Sequence, residues 1–154
     1  PRDIPGIDLN RPQQQALLHQ FHQYYSDLPF PESRTEGTRF FYDNGWFCHA
    51  DAIFLYSFLR HFRPKRIIEI GSGFSSAVML ETVERFFPEP PHMTFVDPDT
   101  SRLRTLLKDS DSTRAEILES RLQDLPQNIF DSLESGDLLF IDSSHIVKFG
   151  SDVY

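Results

Sequence analysis

A single cysteine, Cys48, stands among the 154 residues, so neither an internal disulfide nor a four-thiolate zinc site can form within the chain. That scarcity suits a reducing compartment, and the cytoplasm is the expected location. Long apolar runs are also missing. Nothing approaches the ~20 consecutive apolar residues of a membrane helix, and no basic-then-apolar leader opens the chain, so a membrane is not an expected partner. Basic side chains are outnumbered, with 15 Lys and Arg against 23 Asp and Glu and a formal charge of -8. A surface of that sign repels phosphate backbones at long range, and nucleic acid is not an expected partner either. The one dense basic run, Arg60-His61-Phe62-Arg63-Pro64-Lys65-Arg66, precedes a predicted strand and reads as a solvated helix end and linker. The chain opens on Pro1 instead of Met, which leads us to expect a piece of a longer protein.

What is present describes one folded domain. Hydrophobic residues make up 39% and charged residues 25%, the balance of a packed globular core. Fifteen Phe residues favour a well-buried, aromatic-rich interior. After a Pro- and Gly-bearing lead-in over residues 1 to 12, apolar spacings of three and four predict a helix from Gln13 to Tyr25, with Asn10 near its start. Leu28 to Gly45 is predicted loop. Within and just after it lie Phe40-Phe41-Tyr42 and Asp43-Asn44-Gly45-Trp46-Phe47, which read as core packing before they read as a lid. A second helix is predicted from Asp51 to Phe62, ended by Pro64.

Beyond Pro64 the texture changes to short β-branched strands alternating with helices. Strands are predicted at Arg66–Ile70, Met93–Val96, Glu116–Leu118 and Asp137–Ile141, with helices at Ser75–Phe87, Thr100–Leu107 and around Pro126–Leu133. Parallel strands need crossover connections, so this alternation predicts an α/β fold with a doubly wound, Rossmann-like parallel sheet. Residues 1–62 read as a helical and aromatic cap on the same core, and residues 63–154 as the nucleotide-binding domain.

The chemistry concentrates in the turn Glu69-Ile70-Gly71-Ser72-Gly73 between the first strand and its helix. A glycine turn there lets the backbone approach a ligand that a Cβ would block, beside the free N–H groups of a helix N-terminus. Asp97 ends the next strand, where a carboxylate can accept from both ribose hydroxyls. A dinucleotide site prefers G-x-G-x-x-G, and Ser76 occupies the third glycine position. Glu69 would also repel a pyrophosphate, whereas the ammonium and sulfonium of S-adenosylmethionine suit it.

These pieces resemble the class I S-adenosylmethionine-dependent methyltransferases, in particular a bacterial small-molecule-type group with an E-x-G-S-G-x-S loop. The matching segments are Glu69 to Ser76, Phe95-Val96-Asp97-Pro98, Glu119 to Asp124, and Leu139 to His145, within a likeness running from about Asp43 to Tyr154. The resemblance implies that Glu69 and the Gly71-Ser72-Gly73 backbone face the methionine portion of the cofactor, Asp97 the ribose and Asp124 the adenine, with Ser75 also among the cofactor-binding residues. It also implies further strands beyond the fourth, which this chain would lack.

Ligands in open α/β sheets bind beyond the carboxyl ends of the strands, and Asp142-Ser143-Ser144-His145 occupies that edge. Asp142 and His145 there read as catalytic: a neutral His with a carboxylate beside it can take a proton from an acceptor. The alternative, two ligands to a divalent metal, lacks further ligands, and no metal is assigned. The expected activity is methyl transfer to an oxygen or nitrogen of a small-molecule acceptor such as a sugar or secondary metabolite. A catalytically silent binding domain of the same fold and an NAD-binding domain are the alternatives, and assembly into a homo-oligomer is left open.

Overall fold

The computed structural model describes residues 5 to 152, so the first four residues of the expected lead-in and the last two of the predicted domain lie outside it. The elements run in the order α1 (Arg11–Phe21), α2 (His49–Phe62), β1 (Arg66–Ile70), α3 (Phe74–Phe86), β2 (His92–Asp97), α4 (Ser101–Arg104), β3 (Ala115–Glu119) and β4 (Leu138–Ile141), with 3-10 turns between several of them. The strands form one parallel sheet in the order β3-β2-β1-β4. This is the Rossmann-like α/β fold that the alternation of strands and helices predicted.

Several boundaries move for local reasons. α1 starts at Arg11, with Pro12 in its first turn, and yields to a 3-10 turn at His22–Asp27 instead of continuing to Tyr25. Asn10 makes no side-chain cap; its backbone carbonyl accepts from the Gln13 and Gln14 amides at 3.1 Å. α4 has only four residues where a helix to Leu107 was predicted. The predicted Pro126–Leu133 helix is a 3-10 turn at Gln127–Ser132.

Strand pairing decides what lies at the site. Ile70 is in register with Val96 on one side and with Ile141 on the other, so β1, β2 and β4 end level. Gly71, Asp97 and Asp142 thereby meet at one edge, although they are far apart in sequence. Alternation along β1 sends Ile67 to the face packed by α2 and α3, and Ile68 and Ile70 to the other. Glu69 shares the parity of Ile67 and therefore sits under the start of α3. The second face is covered by Leu122, Leu125, Phe130 and Leu133 from short 3-10 turns.

The aromatic stretch before α2 is mostly core. Phe40 is fully buried, and it meets Phe30 edge-on at 4.9 Å and Tyr42 at 5.7 Å. Beside it, the buried Arg39 guanidinium donates to both oxygens of Asp111 at 2.7 and 2.5 Å and to Glu81 at 2.7 Å and Glu84 at 2.5 Å. These bonds tie the extended segment before α2 to α3 and to the turn before β3. Burial would lower the Arg39 pKa, but the bonds to Asp111, Glu84 and Glu81 outweigh it and hold the group above its ordinary value.

The basic run at the end of α2 is not merely a solvated end. The Arg60 guanidinium lies 3.9 Å from the Phe86 ring centre and donates to the Tyr56 hydroxyl at 2.5 Å. Arg63 carries a left-handed backbone at φ 48 and ends the helix before Pro64. No helix among the described residues is long and apolar enough to cross a membrane.

Candidate functional site

A cavity of about 530 Å³ opens beyond the carboxyl ends of β1, β2 and β4, in the size range of small-molecule sites. Gly71, Ser72, Gly73, Ser75, Asp97, Asp142 and His145 all line it. Seven of the nine predicted site residues thus share one space; Glu69 and Asp124 do not line it.

The glycine turn is organised from within. Glu69 is fully buried, and its two carboxylate oxygens accept from the hydroxyls of Ser75, at 2.5 Å, and Ser76. The Ser76 Oγ in turn accepts the Gly73 amide N–H at 3.0 Å. Ser76 therefore does in this loop what a third glycine would not: it ties the helix start to the strand below. Burial pushes the Glu69 carboxyl up to about 8 against the lowering influence of the two serine hydroxyls, and the charges of Asp142 and Asp97 add to the rise. Glu69 acts on the cavity through Ser75, not at its wall.

Gly71 is needed for a reason other than ligand approach. Its φ is +88, and a Cβ there would fall 2.0 Å from the Asp142 carbonyl oxygen. The turn runs that close because the Gly71 amide donates to the Val96 carbonyl at 2.8 Å while the Asp142 amide donates to the Ile70 carbonyl at 2.9 Å. At Gly73 a Cβ would meet only the Arg102 side chain, at 3.4 Å.

Asp97 accepts the Ser72 amide N–H on Oδ2 and the Asp99 amide N–H on Oδ1, both at 2.8 Å. Each oxygen keeps lone-pair capacity for a further donor. The Ser72 hydroxyl is buried with no hydrogen-bond partner among the described residues. Asp124 faces solvent and accepts from Arg121 at 2.7 and 3.0 Å, while its neighbours Arg121, Leu122 and Gln123 line the cavity.

Just beyond β4, His145 Nε2 lies 3.0 Å from Asp142 Oδ1. His145 holds a left-handed backbone at φ 56, a conformation in which His is enriched among non-glycine residues. No group of three or more His, Cys, Asp or Glu able to hold a metal ion occurs among the described residues.

Two contributors come from the stretch that reads as core packing before it reads as a lid. Trp46 is two-thirds exposed and forms part of the cavity rim, with the Arg102 guanidinium 3.8 Å from its ring centre. Asn44 presents it: the Asn44 amide donates to the Phe41 carbonyl at 2.7 Å and accepts the Trp46 and Phe47 amides at 2.8 Å. An Asn-Gly pair followed by a lone Trp between buried aromatics was the available signal.

An uncharacterized protein of Archaeoglobus fulgidus is 31% identical over 137 residues, covering 86% of this chain and 60% of that protein. The crystal structure of the SAH-bound Podospora anserina methyltransferase PaMTH1 aligns with 91% of this chain and 60% of its own, at 15% identity and a TM-score of 0.46. The chain spans about 60% of the length of both. A family model described as a methyltransferase domain matches residues 68–150, more than half of the sequence, and this chain belongs to that family.

Proposed function

We propose that the chain is the cofactor-binding part of an S-adenosylmethionine-dependent methyltransferase acting on an oxygen or nitrogen of a small-molecule acceptor. The observation that carries this reading is the state of the loop amides. Ser72 N–H is taken by Asp97 and Gly73 N–H by Ser76, so neither of these two amides is open to a pyrophosphate. The same cavity offers Asp97 for ribose hydroxyls and the unpartnered Ser72 hydroxyl for a polar ligand atom. Together these favour a nucleoside with a cationic tail over a dinucleotide.

When bound, the cofactor supplies a methyl group on a sulfonium, already a good leaving group. The protein's work is then to hold the acceptor in line with that methyl, exclude water and accept a proton. Asp97 orients the nucleoside, Glu69 fixes Ser75 and Ser76 so that the turn keeps its shape, and Asp142 pairs with His145 at the end of β4. On this reading residues 63–154 carry the cofactor and residues 1–62 cap it, Trp46 forming part of the rim.

Calorimetric titration with S-adenosylmethionine, S-adenosylhomocysteine and NAD tests the proposal. Binding of both sulfur nucleosides, without NAD, is expected. NAD binding with no response to either would overturn it. Trp46 is the sole tryptophan and lines the cavity, so its fluorescence should report the same event independently.

A further inference from the structure

S-adenosylmethionine ends in an amino acid, so it brings a carboxylate into its site as well as an ammonium. A carboxylate that leaves water needs donors, and a guanidinium offers it a matched pair. Two arginines line the cavity beyond β1 and β2. Arg121 is already engaged with both oxygens of Asp124, at 2.7 and 3.0 Å. The Arg102 side chain makes no hydrogen bond or ion pair with a described residue, beyond a coulombic attraction felt by Asp99.

Two contacts place Arg102. Its guanidinium carbon lies 3.8 Å from the centre of the Trp46 ring. Its arm crosses the glycine turn, with Cδ 3.4 Å and Nη1 3.8 Å from where a Cβ at Gly73 would stand. Stacking holds one face of the guanidinium against the ring, while its N–H donors lie in the plane and stay free to fork around two oxygens. The same stack joins the segment before α2 to α4 beside the turn.

Building on the methyl-donor reading above, we infer that Arg102, oriented by Trp46, receives the carboxylate of the cofactor's amino-acid end and so selects a nucleoside that carries a complete amino acid. Arg102 borders two spaces. The smaller, of about 350 Å³, also has Asp99 on its wall, which repels an anion. On the main-cavity side Arg102 stands with Gly73, Phe74 and Ser75 at the start of the 13-residue α3, where the helix dipole adds to its attraction for negative charge. With the ribose on Asp97 and the carboxylate on Arg102, both ends of the chain through sulfur are fixed. The sulfur between them, and the methyl it carries, is thereby held in one place.

The test is calorimetry of S-adenosylhomocysteine and of its decarboxylated form, which keeps the nucleoside, the sulfur and the ammonium. The proteins are the parent chain and its Arg102→Met, Arg102→Lys and Trp46→Leu variants. Arg102 and Trp46 are both exposed, so each variant should fold. The parent should bind S-adenosylhomocysteine about tenfold or more tighter than the decarboxylated form, the scale of a lost charged hydrogen bond. Arg102→Met should close that gap, chiefly by weakening S-adenosylhomocysteine, and Arg102→Lys, which keeps the charge without the fork, should restore part of it. Trp46→Leu should narrow the gap in the parent and leave it unchanged when Arg102 is already Met. A parent that binds both forms equally, or a gap that persists in Arg102→Met, would overturn the assignment while leaving the methyl-donor reading intact. A gap untouched by Trp46→Leu would overturn the role of the stack. Failure of the parent to bind S-adenosylhomocysteine at all would overturn the methyl-donor reading and this assignment together.

Discussion

Replacing Glu69 with glutamine should abolish a pH dependence of stability that this carboxyl imposes. Glu69 is fully buried beneath the glycine turn, and burial lifts its pKa from 4.5 to about 8 even though two serine hydroxyls donate to it. Between those values the folded chain holds a proton that the unfolded chain has released. The contribution is therefore fully present below 4.5 and is lost as pH rises through about 8. Each pH unit inside the window is worth up to about 1.4 kcal/mol, so the whole is on the order of 4 to 5 kcal/mol.

Glutamine keeps the shape and one acceptor oxygen but cannot titrate. The assay is urea denaturation of both proteins at pH 5, 6, 7 and 8, comparing free energies at matched m-values. At pH 5 the two should be close, because a protonated carboxyl and an amide are similar in size and polarity. By pH 8 the parent should have lost several kcal/mol relative to the variant. Parallel profiles, differing by a constant, would mean that Glu69 is ionised throughout and that the serine hydroxyls, not burial, dominate its environment.

Three further outcomes are expected. Gly71→Ala combines a left-handed backbone with a Cβ set against the Asp142 carbonyl, and it should cost about 2 to 5 kcal/mol, read as a fall in thermal midpoint; an unchanged midpoint would show that the turn and the end of β4 separate easily. Asp97→Ala should weaken S-adenosylhomocysteine binding by roughly 1 to 3 kcal/mol in calorimetry, the scale of a lost charged hydrogen bond, and retained affinity would refute the ribose assignment. Arg39→Met leaves Glu81 and Asp111 buried without their main cation and should destabilise by about 3 to 5 kcal/mol, nearer the lower figure because Lys108 and Arg85 remain close. The hydrogen bond from Arg39 is the main cause holding the Glu84 pKa down at about 2, so the parent should also lose stability as pH falls from 4.5 toward 2, and the variant should lose less.

The sequence by itself determined the fold and the identity of the loop. Period-two and helical patterns are local properties, and the β1 span and the alternation with helices were legible from them. The order Glu69, Gly71, Gly73, Asp97 carried the cofactor reading because these residues fall near or just beyond the ends of predicted strands. Tertiary structure decided the rest. Level strand ends, set by parallel register, brought Asp142 and His145 to the same cavity as Gly71 and Asp97. Strand parity turned Glu69 under α3, where burial raised its pKa, and the close approach of β4 gave Gly71 its reason to be glycine. Arg39 pairs with residues 42 to 72 positions away, and Trp46 meets Arg102 across the rim of the cavity. Contacts of that range leave no periodic trace in a single chain, because they depend on how the elements pack and not on how each element forms.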